Sequence, residues 1–234
     1  MRQYSNDQAS RQAIVSTLQS MSSKGLNKGT SGNVSARTGD AMLITPTGVA
    51  PDQLQPEHIV HMSLSGDVDD NQFTPSSEWQ MHADTYRAKP DIAAVVHCHS
   101  PFATVLACAR KPIPAMHYMV AAAGGHGIPL APYATFGSKE LSQANLAALS
   151  TSMACLLANH GQLAVGFDLS GALKLAELVE EQAHCYWGTL AIGGPVLLDK
   201  AEMDQVLTAF ASYGQQHGYG ELPGANASNN SDET

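Results

Sequence analysis

Charge is scarce in this chain. Only 14% of its 234 residues are Asp, Glu, Lys or Arg, and the formal balance is −9. There is no block of Lys and Arg, so the electrostatic footprint of a nucleic-acid binder is missing. Long hydrophobic runs are missing too: no stretch reaches the length that crosses a bilayer. Met1 to Asp7 lacks the apolar core of a signal peptide, so the expected location is the cytoplasm. Cysteine spacing of the metal or disulfide kind is absent. Cys98, Cys108, Cys155 and Cys185 lie in apolar segments and are expected to be reduced core residues. No internal repeat and no inter-domain linker interrupts the chain. So little charge also agrees with a surface partly shared between subunits.

What is present is a packed chain, 44% apolar, long enough for one domain with a large core. That domain is expected over residues 1–218, with 219–234 as a polar, disordered tail. The chain is organised around Val95-Val96-His97-Cys98-His99-Ser100. The run from Ile92 is short, β-branched and bounded by Pro90 and Pro101, which predicts a buried strand. Alternate side chains of a strand share a face. His97 and His99 therefore point together and Cys98 points into the core, where a free thiol is at home. A lone His on an apolar face is usually a satisfied core residue. Here, however, a second apolar segment, Ala154 to Ala158, runs into Asn159-His160-Gly161. Two strands delivering three imidazoles make a His₃ zinc site plausible, with a water or carboxylate as fourth ligand.

In order along the chain, residues 7–24 read as an amphipathic helix stopped by Gly25. Gly29-Thr30-Ser31-Gly32-Asn33 is a loop whose backbone N–H groups can converge on an anion, or an ordinary turn. It has neither the Lys of a Walker loop nor the spacing of a dinucleotide fingerprint. Strands are expected at 33–37, 41–45 and 59–64, with Pro46-Thr47-Gly48 and Ser65-Gly66-Asp67 as turns. A helix is expected from Pro75 to about Lys89, capped by Ser76 or Ser77 with Gln80 completing a capping box. That places Glu78 in the first turn and His82 one turn on, in a structural role or one supporting the ligands from behind, rather than as a ligand. Ser100 caps a helix to about Arg110, with Pro101 at its first position. Residues 113–119 read as extended, 121–127 as a mobile glycine-rich loop, and 128–133 as a Pro-punctuated edge strand. Further helices are expected from Ser138 to about Leu149, from Ser170 to about Leu190, and from Asp199 to about Tyr213. Strands are expected at 153–158 and 162–167.

The ordered motifs Gly-Thr-Ser-Gly-Asn-Val-Ser, Met-Leu-Ile-Thr-Pro-Thr-Gly, Ser-Ser-Glu-Trp, Val-Val-His-x-His, Ile-Pro-Ala-x-His-Tyr-Met, Ala-Ala-Ala-Gly-Gly, Pro-Tyr-Ala-Thr-Phe-Gly and Asn-His-Gly lie between Gly29 and Gly161, and the resemblance they carry extends over about residues 8–213. Together they resemble the class II aldolase superfamily of fuculose-phosphate aldolases and ribulose-phosphate epimerases. The branch they are most similar to is the L-fuculose-1-phosphate aldolases. The resemblance implies an α/β fold of α+β type, with a central, mainly antiparallel sheet flanked by layers of helices. It implies one Zn²⁺ per subunit held by His97, His99 and His160. Glu78 is implied as the acid/base, able also to touch the metal in the free enzyme. A phosphate pocket is implied at Thr30, Gly32, Asn33, Thr47, Gly48, Ser76 and Ser77. Phe136 matches an aromatic near the aldehyde pocket. The family forms ring-shaped homotetramers with shared sites, and Tyr118 matches the tyrosine proton donor that crosses from the neighbour. The implied reaction is reversible cleavage of a ketose 1-phosphate, such as L-fuculose 1-phosphate, to dihydroxyacetone phosphate and a short aldehyde such as L-lactaldehyde.

Three departures from that branch leave its core machinery untouched. Cys98 replaces an Asn, His126-Gly127 replaces Asn-Ser, and Asn159 replaces a His; they bear on aldehyde preference. On the same scaffold the rivals are a 4-epimerase, against which Glu78 argues because that branch carries Asp there, and a decarboxylase or dehydratase. A non-catalytic module like the adducin head lacks the metal histidines present here.

Overall fold

The computed structural model describes residues 2–69 and 72–210. Its centre is a seven-stranded sheet: β1 (Asn33–Thr38), β2 (Ala41–Ile44), β3 (Val60–Ser63), β4 (Ala94–Cys98), β5 (Leu130–Ala131), β6 (Ala154–Leu157) and β7 (Gly161–Gly166). Their spatial order is β3-β2-β1-β4-β7-β6-β5. Every neighbouring pair is antiparallel except β5 with β6. The sheet is thus mainly antiparallel, as expected, and the histidine-bearing β4 lies at its middle. The Pro-flanked β5 is an edge strand, the place where a missing N–H costs least.

Among the described residues six α-helices cover the sheet: α1 (Arg2–Ser23), α2 (Trp79–Ala88), α3 (Pro101–Cys108), α4 (Lys139–Ala148), α5 (Leu169–Ala191) and α6 (Lys200–Phe210). The period-two alternation of β4 divides the core. Ala94, Val96 and Cys98 join Ile14 and Leu18 of α1, Leu106 of α3 and Val179 of α5. Val95 faces the other way, toward Met81 and Tyr86 of α2 and Leu141 of α4. His97 follows the alternation of Val95, so it emerges on the α2 side of the sheet. Among the described residues no helix is long and apolar enough to cross a membrane.

Several expectations change. Cys98 and Cys155 are buried, but Cys108 and Cys185 are exposed, and all four are free thiols. Cys108 ends the short α3. Cys185 lies two residues beyond the buried Ala183, on the far side of α5. Trp187 of α5 is half-exposed, its ring tilted against that of Phe102. The extended reading of 113–119 holds at Ile113, which bridges Ile128, but the chain bends over residues 115–117. Residues Tyr118–Ala123 wind into a 3-10 turn whose cap is His117, accepting from the N–H of Met119. Val120, Ala121 and Ala123 are buried, so two of the three alanines of the expected loop pack, while Ala122 is exposed. Gly124, at φ +84°, ends that turn. A further 3-10 turn lies at Pro56–His58. Asp168 rather than Ser170 caps α5, accepting from the N–H of Gly171. The expected end of the last helix, at Tyr213, and the tail 219–234 lie outside the described residues.

Candidate metal centre and active site

Strand register assembles the site. Asn33 of β1 pairs with His97 of β4, and Cys98 pairs with Gln162 of β7. The β6–β7 hairpin turns through Asn159, at φ +56°, and presents His160 beside the end of β4. Gly161 makes this approach possible, because a methyl there would lie 2.4 Å from the Cys98 carbonyl oxygen. On the other flank the Asn27 amide oxygen accepts the backbone N–H of His99 at 3.1 Å. Gly32, at φ +77°, leaves room for that Asn27 side chain.

The three rings converge. Centroids of His97, His99 and His160 are 4.7–5.0 Å apart, with planes inclined at 70–71°. His97 donates Nδ1–H to the Gln162 carbonyl at 2.8 Å, which aims its Nε2 into the cluster. Nε2 of His97 lies 3.1 Å from Nε2 of His99. The Glu78 carboxylate closes the group, with Oε2 at 3.2 Å from His97 Nε2 and Oε1 at 3.4 Å from His160 Nε2. A tetrahedral zinc with bonds of about 2.0–2.1 Å separates its ligand atoms by about 3.3 Å. The donor set and its spacing therefore fit one divalent cation. Oε1 of Glu78 is buried without a hydrogen-bond partner, as suits an atom awaiting a metal or a substrate proton.

Electrostatics point the same way. Burial raises the pKa of Glu78, but the charge and hydrogen bond of His97, then His160 and Asn33, outweigh it and hold the carboxyl well below its usual range. For His97 burial acts downward, yet Glu78 and the Gln162 carbonyl overcome it and raise its pKa. Burial, followed by the charge of His97, pushes His99 and His160 down to about 4. Two rings are thus neutral near pH 7, the state in which imidazole ligates metal.

The start of α2 differs from expectation in a way that matters. Neither serine forms the cap: Glu78 is the N-cap residue and α2 begins at Trp79. The N–H of Ser76 is held by the Thr45 carbonyl at 3.0 Å, so the chain is still tied to the tip of β2 there. The Ser76 hydroxyl accepts the N–H of Glu78 instead, at 3.3 Å. Glu78 consequently leaves the helix at its open end and reaches the histidines.

A cavity of about 330 Å³ opens beside this cluster. Thr30, Gly32, Asn33, Thr47, Gly48, Ser76 and Ser77 all line it, as do Glu78, His99, His160 and Phe136. The hydroxyls and turn backbones form one wall, and Phe136 stands at the mouth, largely exposed. Sequence reasoning missed Ser31 and Tyr133, which also line the cavity, as does Asn159, one of the three departures. The alternation of hydroxyls with glycines signals Ser31, and Tyr133 belongs to the Pro-Tyr-Ala-Thr-Phe-Gly motif. Two candidates lie apart. His82 is fully buried against Asn33 and Ser35, outside the histidine cluster. Tyr118 is half-exposed beside His117 and Phe210 and does not line its own chain's cavity.

Residues 12–187 match the model of the class II aldolase and adducin N-terminal domain family. A 5-methylthioribulose-1-phosphate/5-deoxyribulose-1-phosphate aldolase of Rhodospirillum rubrum is 48% identical, over 88% of this chain and 93% of that protein. The L-fuculose phosphate aldolase of Escherichia coli (strain K12) is 46% identical, over 86% of this chain and 94% of that protein. Among solved structures, an L-fuculose 1-phosphate aldolase superposes with a TM-score of 0.84 at 38% identity, covering 87% of this chain and 96% of that one.

Proposed function

Since this chain belongs to the class II aldolase and adducin N-terminal domain family, we propose that it is a zinc-dependent aldolase of ketose 1-phosphates. The proposed reaction is reversible cleavage to dihydroxyacetone phosphate and a short aldehyde, with L-fuculose 1-phosphate or a close relative as substrate. The observation that carries this reading is the convergence of three imidazoles and one carboxylate beside a cavity walled by hydroxyls and turn backbones.

Zinc held by His97, His99 and His160 would supply Lewis-acid stabilisation of the negative charge that develops on the substrate's carbonyl oxygen. The chain's own groups do the rest. Thr30, Gly32, Asn33, Thr47, Gly48, Ser76 and Ser77 hold the phosphate and so fix the reacting carbons. In the synthetic direction Glu78 takes a proton from the carbon beside the carbonyl of dihydroxyacetone phosphate. That carbon bonds to the aldehyde carbon, and a tyrosine hydroxyl protonates the new alkoxide. Cleavage reverses each step. Phe136, at the cavity mouth, lies against the aldehyde portion.

The proton donor is Tyr118 of a neighbouring subunit in a cyclic homotetramer. Supporting this, Tyr118 is half-exposed and away from its own chain's cavity. A head-to-tail ring places a residue of one subunit at the site of the next.

The test is incubation with L-fuculose 1-phosphate, 5-methylthioribulose 1-phosphate and 5-deoxyribulose 1-phosphate, watching for dihydroxyacetone phosphate. The last two are included because relatives are named for them. Release of a triose phosphate with a free aldehyde is expected. Isomerisation or loss of carbon dioxide or water without triose phosphate would refute aldol cleavage.

A further inference from the structure

Behind Glu78 runs a buried polar chain of which the proposed chemistry uses only Asn33. It arises from matched periodicities. Asn33 and Ser35 are alternate residues of β1 and share one face. Glu78, His82 and Tyr86 are four apart and share one face of the α2 segment. Two strand residues rise about 6.7 Å and four helix residues about 6.0 Å, so the two ladders stay in step. Asn33, Ser35, His82 and Tyr86 are all buried.

Hydrogen-bond chemistry gives the ladder a direction. A carboxylate only accepts, so the Asn33 amide donates Nδ2–H to Oε2 of Glu78 at 2.9 Å. Asn33 Oδ1 must then accept, and it takes Nε2–H of His82 at 2.6 Å. Burial, then the charge of His97, pushes His82 down to about 3, so its ring is neutral. A neutral ring with Nε2–H has a lone pair on Nδ1, which accepts from the Ser35 hydroxyl at 2.7 Å. That hydroxyl in turn accepts from Tyr86, also at 2.7 Å. Rotating the Asn33 amide by half a turn would set its oxygen against the carboxylate and its NH₂ against Nε2–H. An amide also interrupts any proton relay, so the chain can orient but not shuttle.

We propose that His82, Ser35 and Tyr86 are positioning residues that lock the Asn33 amide onto Oε2 of Glu78, leaving Oε1 as the oxygen that moves the substrate proton. The inference rests on Glu78 being the acid/base.

His82→Leu removes the donor to Asn33. The expected result is a kcat lower by about 10- to 100-fold, part of what a general base contributes, with KM for the ketose 1-phosphate changed less than about threefold because Asn33 is the one residue of the phosphate cradle that His82 touches and the others stay in place. His82→Gln, whose amide can still donate to Asn33, restores kcat to within about fivefold of wild type. Tyr86→Phe, which keeps the ring in the core, gives a smaller kcat loss than His82→Leu. It is the variant to use if His82→Leu does not fold. Independently of turnover, nitrogen-15 NMR of the imidazoles in the zinc-loaded wild type should show His82 neutral with the proton on Nε2. In Ser35→Ala only its Nδ1 resonance should move.

Overturning results are a proton on Nδ1, a Gln variant as impaired as the Leu variant, or a loss carried by KM, which would assign the ladder to phosphate binding. Glu78→Gln separates the two levels. If that variant is active, the acid/base reading fails. If it is inactive while His82→Leu and Tyr86→Phe turn over normally, only the positioning role fails.

Discussion

Gly161→Ala tests how closely the site depends on the approach of its two strands. The added methyl would lie 2.4 Å from the Cys98 carbonyl oxygen and 2.9 Å from Cδ2 of His99. Both neighbours are held: Cys98 is paired in β4, and the N–H of His99 is bonded to Asn27. To reach even a 3.0 Å contact the carbonyl must retreat by about 0.6 Å, and the displacement falls on the segment that carries His99. Metal sites hold their ligand atoms within about 0.2 Å, so the shift is well outside tolerance. Zinc affinity should fall about 10- to 100-fold, the range seen when ligand orientation is lost. Turnover at saturating zinc should fall about 100-fold, the loss expected for misplacement approaching 1 Å. Overpacking should cost about 1–3 kcal/mol of stability. Zinc competition with a chromophoric chelator, kcat at saturating metal and thermal denaturation measure the three effects separately. Wild-type zinc affinity together with wild-type kcat would refute the claim that this glycine sets the spacing of His99 and His160.

Glu78→Gln keeps the side chain's size and removes its charge, so kcat should fall about 10²- to 10⁴-fold with circular dichroism unchanged; near-normal turnover would remove Glu78 from the mechanism. Mixed and reassembled subunits of Tyr118→Phe and Glu78→Gln, each inactive alone, should regain activity, because some sites in a mixed ring hold both native residues; no gain over either parent would end the shared-site proposal. Acid stability should reflect His82. Its folded pKa, about 3, lies below the usual 6.5, so below that value the unfolded chain binds the extra proton and stability falls with falling pH. Melting temperatures measured from about pH 6.5 downward should decline less steeply in His82→Gln, where this group is gone; parallel curves would contradict a neutral, buried His82.

Much of this site was legible from local pattern. Strand alternation alone sets His97 and His99 on one face with Cys98 opposite, and an apolar run ending in Asn-His-Gly marks the third imidazole. Those are short-range signals, because a period of two is a property of one segment. The start of α2 was not legible. Ser76 and Ser77 are both good capping residues by type, and only the bond from Ser76 to the Thr45 carbonyl, across the fold, delays the helix so that Glu78 becomes its cap. Nor does composition tell buried Cys155 from exposed Cys185, since the stripe of α5 that meets the sheet depends on how the helix packs. The buried 3-10 turn from Tyr118 was hidden for the same reason: small alanines and glycines read as loop until another element covers them. The sequence by itself therefore determined which segments are strands and which side chains share a face. Tertiary structure alone decided the register that pairs Asn33 with His97, the in-step ladders of β1 and α2, and the close approach at Gly161. Each of those depends on distances between segments far apart in the chain, which no local period encodes.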